Sequence, residues 1–302
     1  GCGALLASAG AGNAALFALS GAVGGGVLAS LGFYHVTQTV AVRISPRFED
    51  RAIAVLTIWG AFASAIYIPV TAWLVSVLDW RATLRLLAVS TALALVAGAV
   101  AIDTGRHADA SRPSIVKDVG KSVRSAEARR LLASQALAGV GVGTILVYQV
   151  PAMTSAGLAL AAASFWAGFR GFAQLGGRLP LMPLVGRLGV VNTLRLAYVA
   201  IAVGSLALAF SGNQVLAATY AIVAGFGIGA VSPLIGMYSR DVFGQASLGT
   251  AMGLVSLAFL LASAVGPVAA ASVADATGSR AIPVAVSAVI VALAAVIVRT
   301  KD

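Results

Sequence analysis

Arg170, Gln174 and Arg178 stand four residues apart in an otherwise apolar stretch. If that stretch is a helix, residues i, i+4 and i+8 share one face over about 12 Å at about 1.5 Å per residue. Two cations and an amide with no acid among them suit an anionic solute, and a planar guanidinium is the best side-chain match to a carboxylate. Each has a plainer reading. Arg170 could meet an acid on another helix or a backbone carbonyl, and Arg178 could only brace the end of its helix. Tyr148 and Gln149 precede Pro151, and Ser64, Tyr67 and Thr71 form a second polar face at helical spacing. Both groups read as cavity lining or as bonds to a neighbouring helix. His35 has Gln38 and Thr39 at i+3 and i+4. An unperturbed pKa of about 6.5 lets a histidine exchange a proton during a working cycle, the alternative being a neutral ring bonded to its neighbour.

The elements that carry these residues are set by a rhythm of long apolar runs separated by short polar breaks. Residues 1–42 contain no Asp, Glu, Lys or Arg, and the texture returns at 52–78, 86–102, 131–169, 196–239 and 242–274. About 20 residues of helix cross a hydrocarbon core about 30 Å thick, so several of these runs hold two crossings. With 60% hydrophobic and 10% charged residues in 302, the chain has too little polar surface to coat a soluble globule. The class is an all-α polytopic membrane protein. Its 34 glycines agree with close helix contact, and Gly21/Gly25, Gly139/Gly143, Gly225/Gly229 and Gly249/Gly253 keep the four-residue spacing of such contacts.

The expected spans are 1–11 (incomplete), 14–41, 51–77, 83–102, 130–152, 159–181, 190–210, 214–237, 247–271 and 279–298, about nine full helices and one partial. Gly12-Asn13, Ser155-Ala156-Gly157 and Ser211-Gly212-Asn213 supply turn chemistry between spans. The chain opens on Gly1 and its first span is short, so the reading expects helices upstream of it. The opening lacks the basic n-region of a cleavable signal.

The net charge of +10 is distributed unevenly. Alternate connections, counted back from the C-terminus, hold sixteen of the twenty cations on one side, from Arg43, Arg47 and Arg51 to Arg299 and Lys301. The other side has Arg81, Arg85 and Arg280, and Arg170 lies within a span. This is the positive-inside asymmetry, which makes the basic side and the C-terminus cytoplasmic and removes the case for nucleic-acid binding. The long connection 103–129 divides the chain. Its Ile115, Val116, Val119 and Val123 oppose Lys117, Lys121 and Arg124, the pattern of a basic helix on the inner membrane surface or of a solvated linker.

The two sides of that linker resemble each other. Ala63-Ser64-Ala65-Ile66, Pro69 and Arg81 match Ala262-Ser263-Ala264-Val265, Pro267 and Arg280, with 17 residues from Ser to Arg in each copy. Paired half-bundles with a site between them are a common build of secondary transporters.

Several local patterns resemble the major facilitator superfamily. Tyr34 through Arg43 followed by Pro46 to Ala52 resembles the exit of its fourth helix. Ala61 to Pro69 and then Asp79-Trp80-Arg81 resembles its fifth helix and the following Gly-Trp-Arg corner, with Asp79 where Gly is usual. Gly177-Arg178 through Gly186-Arg187-Leu188-Gly189 resembles its loop signature, with Gly186 where the family has Asp, so the charge pairing that Asp makes cannot form in this half. Phe243-Gly244, Gly249, Gly253, Gly266-Pro267, Asp275 and Gly278 resemble its eleventh-helix region. The resemblance implies two pseudo-equivalent six-helix halves. Residues 1–102 are then the remainder of the N-terminal half, 103–129 the cytoplasmic linker and 130–302 the C-terminal half. It also implies that Gly177, Arg178, Arg187, Gly189, Trp80 and Arg81 serve loop or gate roles, and that Arg178 resembles the substrate-binding Arg of the oxalate and monocarboxylate branches.

Enzyme readings find little support. Gly139-x-Gly141-x-Gly143 and Gly225-x-Gly227-x-Gly229 imitate part of a nucleotide loop but lie inside apolar spans with no preceding strand. Cys2 is the only cysteine, and His35 and His107 lack metal-ligand spacing, so no metal site, cofactor or disulfide is expected. The expectation is a secondary active transporter working by alternating access in a bacterial inner membrane, proton-driven, with an organic anion favoured. The alternatives are efflux of amphipathic drugs and, in another class, a non-transporting membrane sensor or scaffold subunit.

Overall fold

The computed structural model describes residues 1–32, 37, 38, 40–42, 45, 47–101, 125–244 and 248–299. Among them the regular structure is helical. The helices are α1 (Cys2–Ala9), α2 (Ala14–Gly32), α3 (Glu49–Val77), α4 (Trp80–Ala101), α5 (Ala126–Ser155), α6 (Leu160–Arg178), α7 (Leu181–Ala209), α8 (Gln214–Phe243), α9 (Leu248–Thr277) and α10 (Ala281–Ile297). Five are long and apolar enough to cross a membrane among the described residues: α4, α5, α7, α8 and α9.

Helix starts follow capping chemistry. Asn13 Oδ1 accepts from the Leu16 N–H at 2.8 Å, Ser125 Oγ from Ala128 at 3.0 Å and Asn213 Oδ1 from Leu216 at 3.0 Å, each satisfying one of a helix's orphan donors. Asp79 Oδ1 accepts from Ala82 at 2.7 Å, which explains an acid at the corner where the family uses Gly. Several helices overrun the expected spans, because a helix continues past the apolar core wherever its ends can be solvated. The largest departure is α7, expected to begin at 190. The segment from Leu181 is already helical, and a break at Gly189 (φ 76°, ψ 165°) separates it from the long helix. Only a residue without Cβ adopts that conformation readily.

The chain forms two compact units. In the first, from 1–36 and 66–114, α1 packs on α2 and α4. Phe17 meets Trp80 edge-on at 5.4 Å, the Arg81 guanidinium lies 4.4 Å over the Trp80 ring, and Arg81 Nη2 donates to Ala11 O at 3.3 Å. This corner ties the α1–α2 turn to the start of α4.

The second unit, from 37–65 and 115–302, holds the main core around Leu131, Ile145, Tyr198, Ile201, Leu234 and Val291. Its helices touch backbone to backbone. A Cβ on Gly139 would strike the carbonyl of Phe259, on Gly143 that of Ser263, and on Gly266 that of Val140, so α5 and α9 admit no side chain between them. Gly177 meets Phe226 O, and Gly225 and Gly229 meet the backbone of Arg170 and Gln174 in the same way, joining α6 to α8. The two nucleotide-loop imitations are therefore packing surfaces. Of the other pairs, Gly25 and Gly253 face open space, and in the first unit Gly24 makes the contact, against Leu5.

Candidate solute-binding site

Arg170 points inward from α6 and is 7% exposed. Its Nε donates to Gln149 Oε1 at 3.1 Å, and the Tyr220 hydroxyl donates to the same oxygen at 2.9 Å. Gln149 Nε2 in turn donates to Leu146 O, on its own helix, at 3.0 Å. Three helices, α5, α6 and α8, thus converge on one amide oxygen. Tyr220 is fully buried and opens a π-helical turn, Tyr220–Ala224, inside α8. Such a turn inserts a residue and rotates the side chains that follow, and it is frequent at functional sites.

No carboxylate approaches Arg170 within ion-pair distance among the described residues. Its only hydrogen-bond partner among them is the neutral Gln149. An amide satisfies a guanidinium donor without neutralising its charge, so the attraction of this buried cation for an anion is not cancelled.

Arg178, also buried, does something different. Its Nε donates to Gly229 O at 3.0 Å. That carbonyl is available because Pro233, four residues on in α8, has no N–H to give it. Arg178 therefore clamps α6 to α8 beside the Gly177–Phe226 contact. Gln174 is half-buried between the two arginines, and Tyr148 is half-buried against the core. Tyr67 is exposed and Thr71 half-buried in α3, within the first unit, where Tyr67 lines a groove with Val70, Leu74, Leu86 and Ser90. Arg187 is exposed and Gly189 makes the α7 break. His35 lies outside the described residues, as does most of the linker.

Two features escape a reading of the sequence alone. Tyr220 is a single tyrosine in an apolar run, and only its arrival at Gln149 marks it. The second is an ion cluster at the ends of two helices. Arg240, in the last turn of α8, pairs with Asp50, with Glu49 at 3.4 Å and with Asp241 at 3.3 Å. Both ends suit their charges, since acids favour a helix's first turn, where Glu49 and Asp50 sit in α3, and cations its last. Nearby, Gln38 Nε2 donates to Ser232 O at 3.2 Å and the Gln38 side chain covers Gly236.

Comparison with known proteins gives this geometry a setting. The sequence model of the Major Facilitator Superfamily matches residues 131–301. The chain belongs to the Major Facilitator Superfamily. Among solved structures, a variant of the E. coli fucose:proton symporter FucP matches with a TM-score of 0.68 and 15% identity, covering 100% of this chain and 82% of that one. FucP in its outward conformation matches with a TM-score of 0.72 and 17% identity, covering 100% and 80%. At that identity the likeness establishes the fold. No curated protein sequence matches the chain. This member of the superfamily is an integral membrane protein and a secondary transporter, as its sequence led us to expect. Its arginine clamp and its Gln149–Arg170–Tyr220 cluster both sit inside the matched region.

Proposed function

We propose that this transporter moves a small organic anion by alternating access, with Arg170 as the receptor of the solute's carboxylate. The observation that supports this reading is a buried guanidinium whose one described partner is a neutral amide. Tyr220 and Gln149 complete the polar surface of the site, while Arg178 braces α6. The basic connections face the cytoplasm of a bacterial inner membrane, and a proton gradient drives the cycle with His35 as the exchanging group. The two halves on either side of the linker supply the rocking elements.

The test is carboxylate binding by the protein in liposomes, read through tryptophan fluorescence, since Trp166 lies one helical turn before Arg170. A panel of pyruvate, lactate, gluconate and benzoate is expected to give at least one saturable response that Arg170→Gln abolishes. Uptake of that solute is expected to lose its dependence on a pH gradient in His35→Ala. Binding of cationic or neutral amphiphiles instead, indifferent to Arg170→Gln, would replace the anion reading with drug export.

A further inference from the structure

Gln149 holds an unusual position for a ligand-binding side chain, because its acceptor is already used up. Its Oε1 accepts from Arg170 Nε at 3.1 Å and from the Tyr220 hydroxyl at 2.9 Å, two donors from two other helices meeting on one sp² oxygen. A carboxylate oxygen would accept the same pair in the same geometry. The amide is tethered from behind, Nε2 donating to Leu146 O at 3.0 Å one turn back along α5, so its carbonyl is aimed rather than free to wander.

The helix around it lacks one backbone donor. Pro151 lies two residues on inside α5, and a proline there leaves the carbonyl four residues earlier, that of Val147, without its helical donor. The side chain is half-buried, whereas Arg170 and Tyr220 are buried. Gln149 is the more accessible and neutral member of the cluster, and Arg170 its buried and charged one.

We infer that the Gln149 carboxamide is a built-in placeholder for the solute's carboxylate. It occupies Arg170 and Tyr220 when the site is empty and is displaced when an anion binds. The inference rests on the reading of Arg170 as the carboxylate receptor and adds a role in the transport cycle. A carrier that moves solute net in one direction must recross the membrane empty. A buried cation deprived of every partner opposes that step, because removing one partner of a buried charge is strongly destabilising. An amide oxygen, weaker than a carboxylate but better than nothing, keeps Arg170 and Tyr220 satisfied during the return and still yields to the stronger acceptor.

The experiment separates net uptake from one-for-one exchange in proteoliposomes, using whichever carboxylate of the panel above binds. In Gln149→Ala, the ratio of net uptake to exchange is expected to fall about tenfold or more, the effect of losing one hydrogen bond to a charged donor, because exchange uses only the loaded carrier. In Gln149→Glu, the placeholder becomes a carboxylate, so binding is expected to be lost while the unfolding temperature without solute rises. Arg170→Gln separates the two levels of the argument. If it leaves carboxylate binding intact, or if no carboxylate binds the parent, the receptor reading fails and the placeholder fails with it. If Arg170→Gln abolishes binding but Gln149→Ala lowers net uptake and exchange equally, Gln149 is an ordinary ligand and the placeholder alone is overturned. A Gln149→Glu protein that still binds with parental affinity overturns it as well.

Discussion

Arg170 and Arg178 have the same residue type, lie on the same helix and are both buried, yet they meet different groups. Arg170 meets a side-chain amide of α5, and Arg178 has among its partners a backbone carbonyl of α8. The difference originates in α8, where Pro233 leaves Gly229 O without its helical donor. Arg178→Gln is therefore expected to cost stability, about 1–3 kcal/mol for a lost hydrogen bond from a buried charged group. The fall should appear in the thermal midpoint of the detergent-solubilised protein, with the carboxylate affinity of the folded fraction unchanged. If affinity collapsed while the midpoint held, Arg178 would be the receptor.

At the scale of elements, the second unit is assembled through glycines that admit no side chain. Gly139 and Gly143 on α5, with Gly266 on α9, bring two helices into backbone contact along their length. Membrane helices lack a strong hydrophobic drive toward one another, so this close packing carries much of their association. Gly143→Val places branched carbons against Ser263 and is expected to lower the thermal midpoint by several degrees, overpacking costing typically about 1–3 kcal/mol. Gly253→Ala, in open space on α9, is expected to leave it unchanged within error. The pair of variants checks contact against mere sequence spacing, since Gly249/Gly253 and Gly139/Gly143 look alike in the sequence. The same close approach on α6 and α8 brings Tyr220 and Arg170 near enough to share Gln149.

At the scale of the whole molecule, the Asp that the superfamily's loop signature carries is Gly186 here, and an ion cluster stands elsewhere. Arg240 gathers Asp50, Glu49 and Asp241 where the start of α3 meets the end of α8, and Gln38 seals Gly236 beside it. The groups are partly exposed, Arg240 at 21%, so each pair contributes little alone, about 0–1 kcal/mol. Pairs of that strength can break without a large cost. Ser239 next to it is fully buried with an unpartnered hydroxyl. In a Cys2→Ser background, Ser239→Cys is expected to react slowly with a membrane-impermeant maleimide. Adding Arg240→Gln is expected to speed that reaction about fivefold, since about 1 kcal/mol of holding energy corresponds to that shift in population. An unchanged rate would mean that the cluster holds nothing shut.

The sequence by itself determined the membrane class, the helix positions to within a few residues at most ends, and the superfamily. Hydrophobic period, turn chemistry and the spacing of glycines, prolines and arginines are local properties that a bilayer reads along one chain. It also marked Arg170, Arg178 and Gln149 as polar residues that an apolar span would not hold without reason. Which groups each of them meets was decided by tertiary structure. Whether an arginine meets an amide, a freed carbonyl or an acid depends on which helix lies opposite and how it is rotated. That rotation is set by backbone contact at Gly225 and Gly229, whose spacing the sequence shows without naming the helix they meet, and by the π turn at Tyr220, which no linear pattern reports. The α3–α8 ion cluster was hidden for the same reason, its partners standing 190 and 191 residues apart and meeting only once the helices are packed.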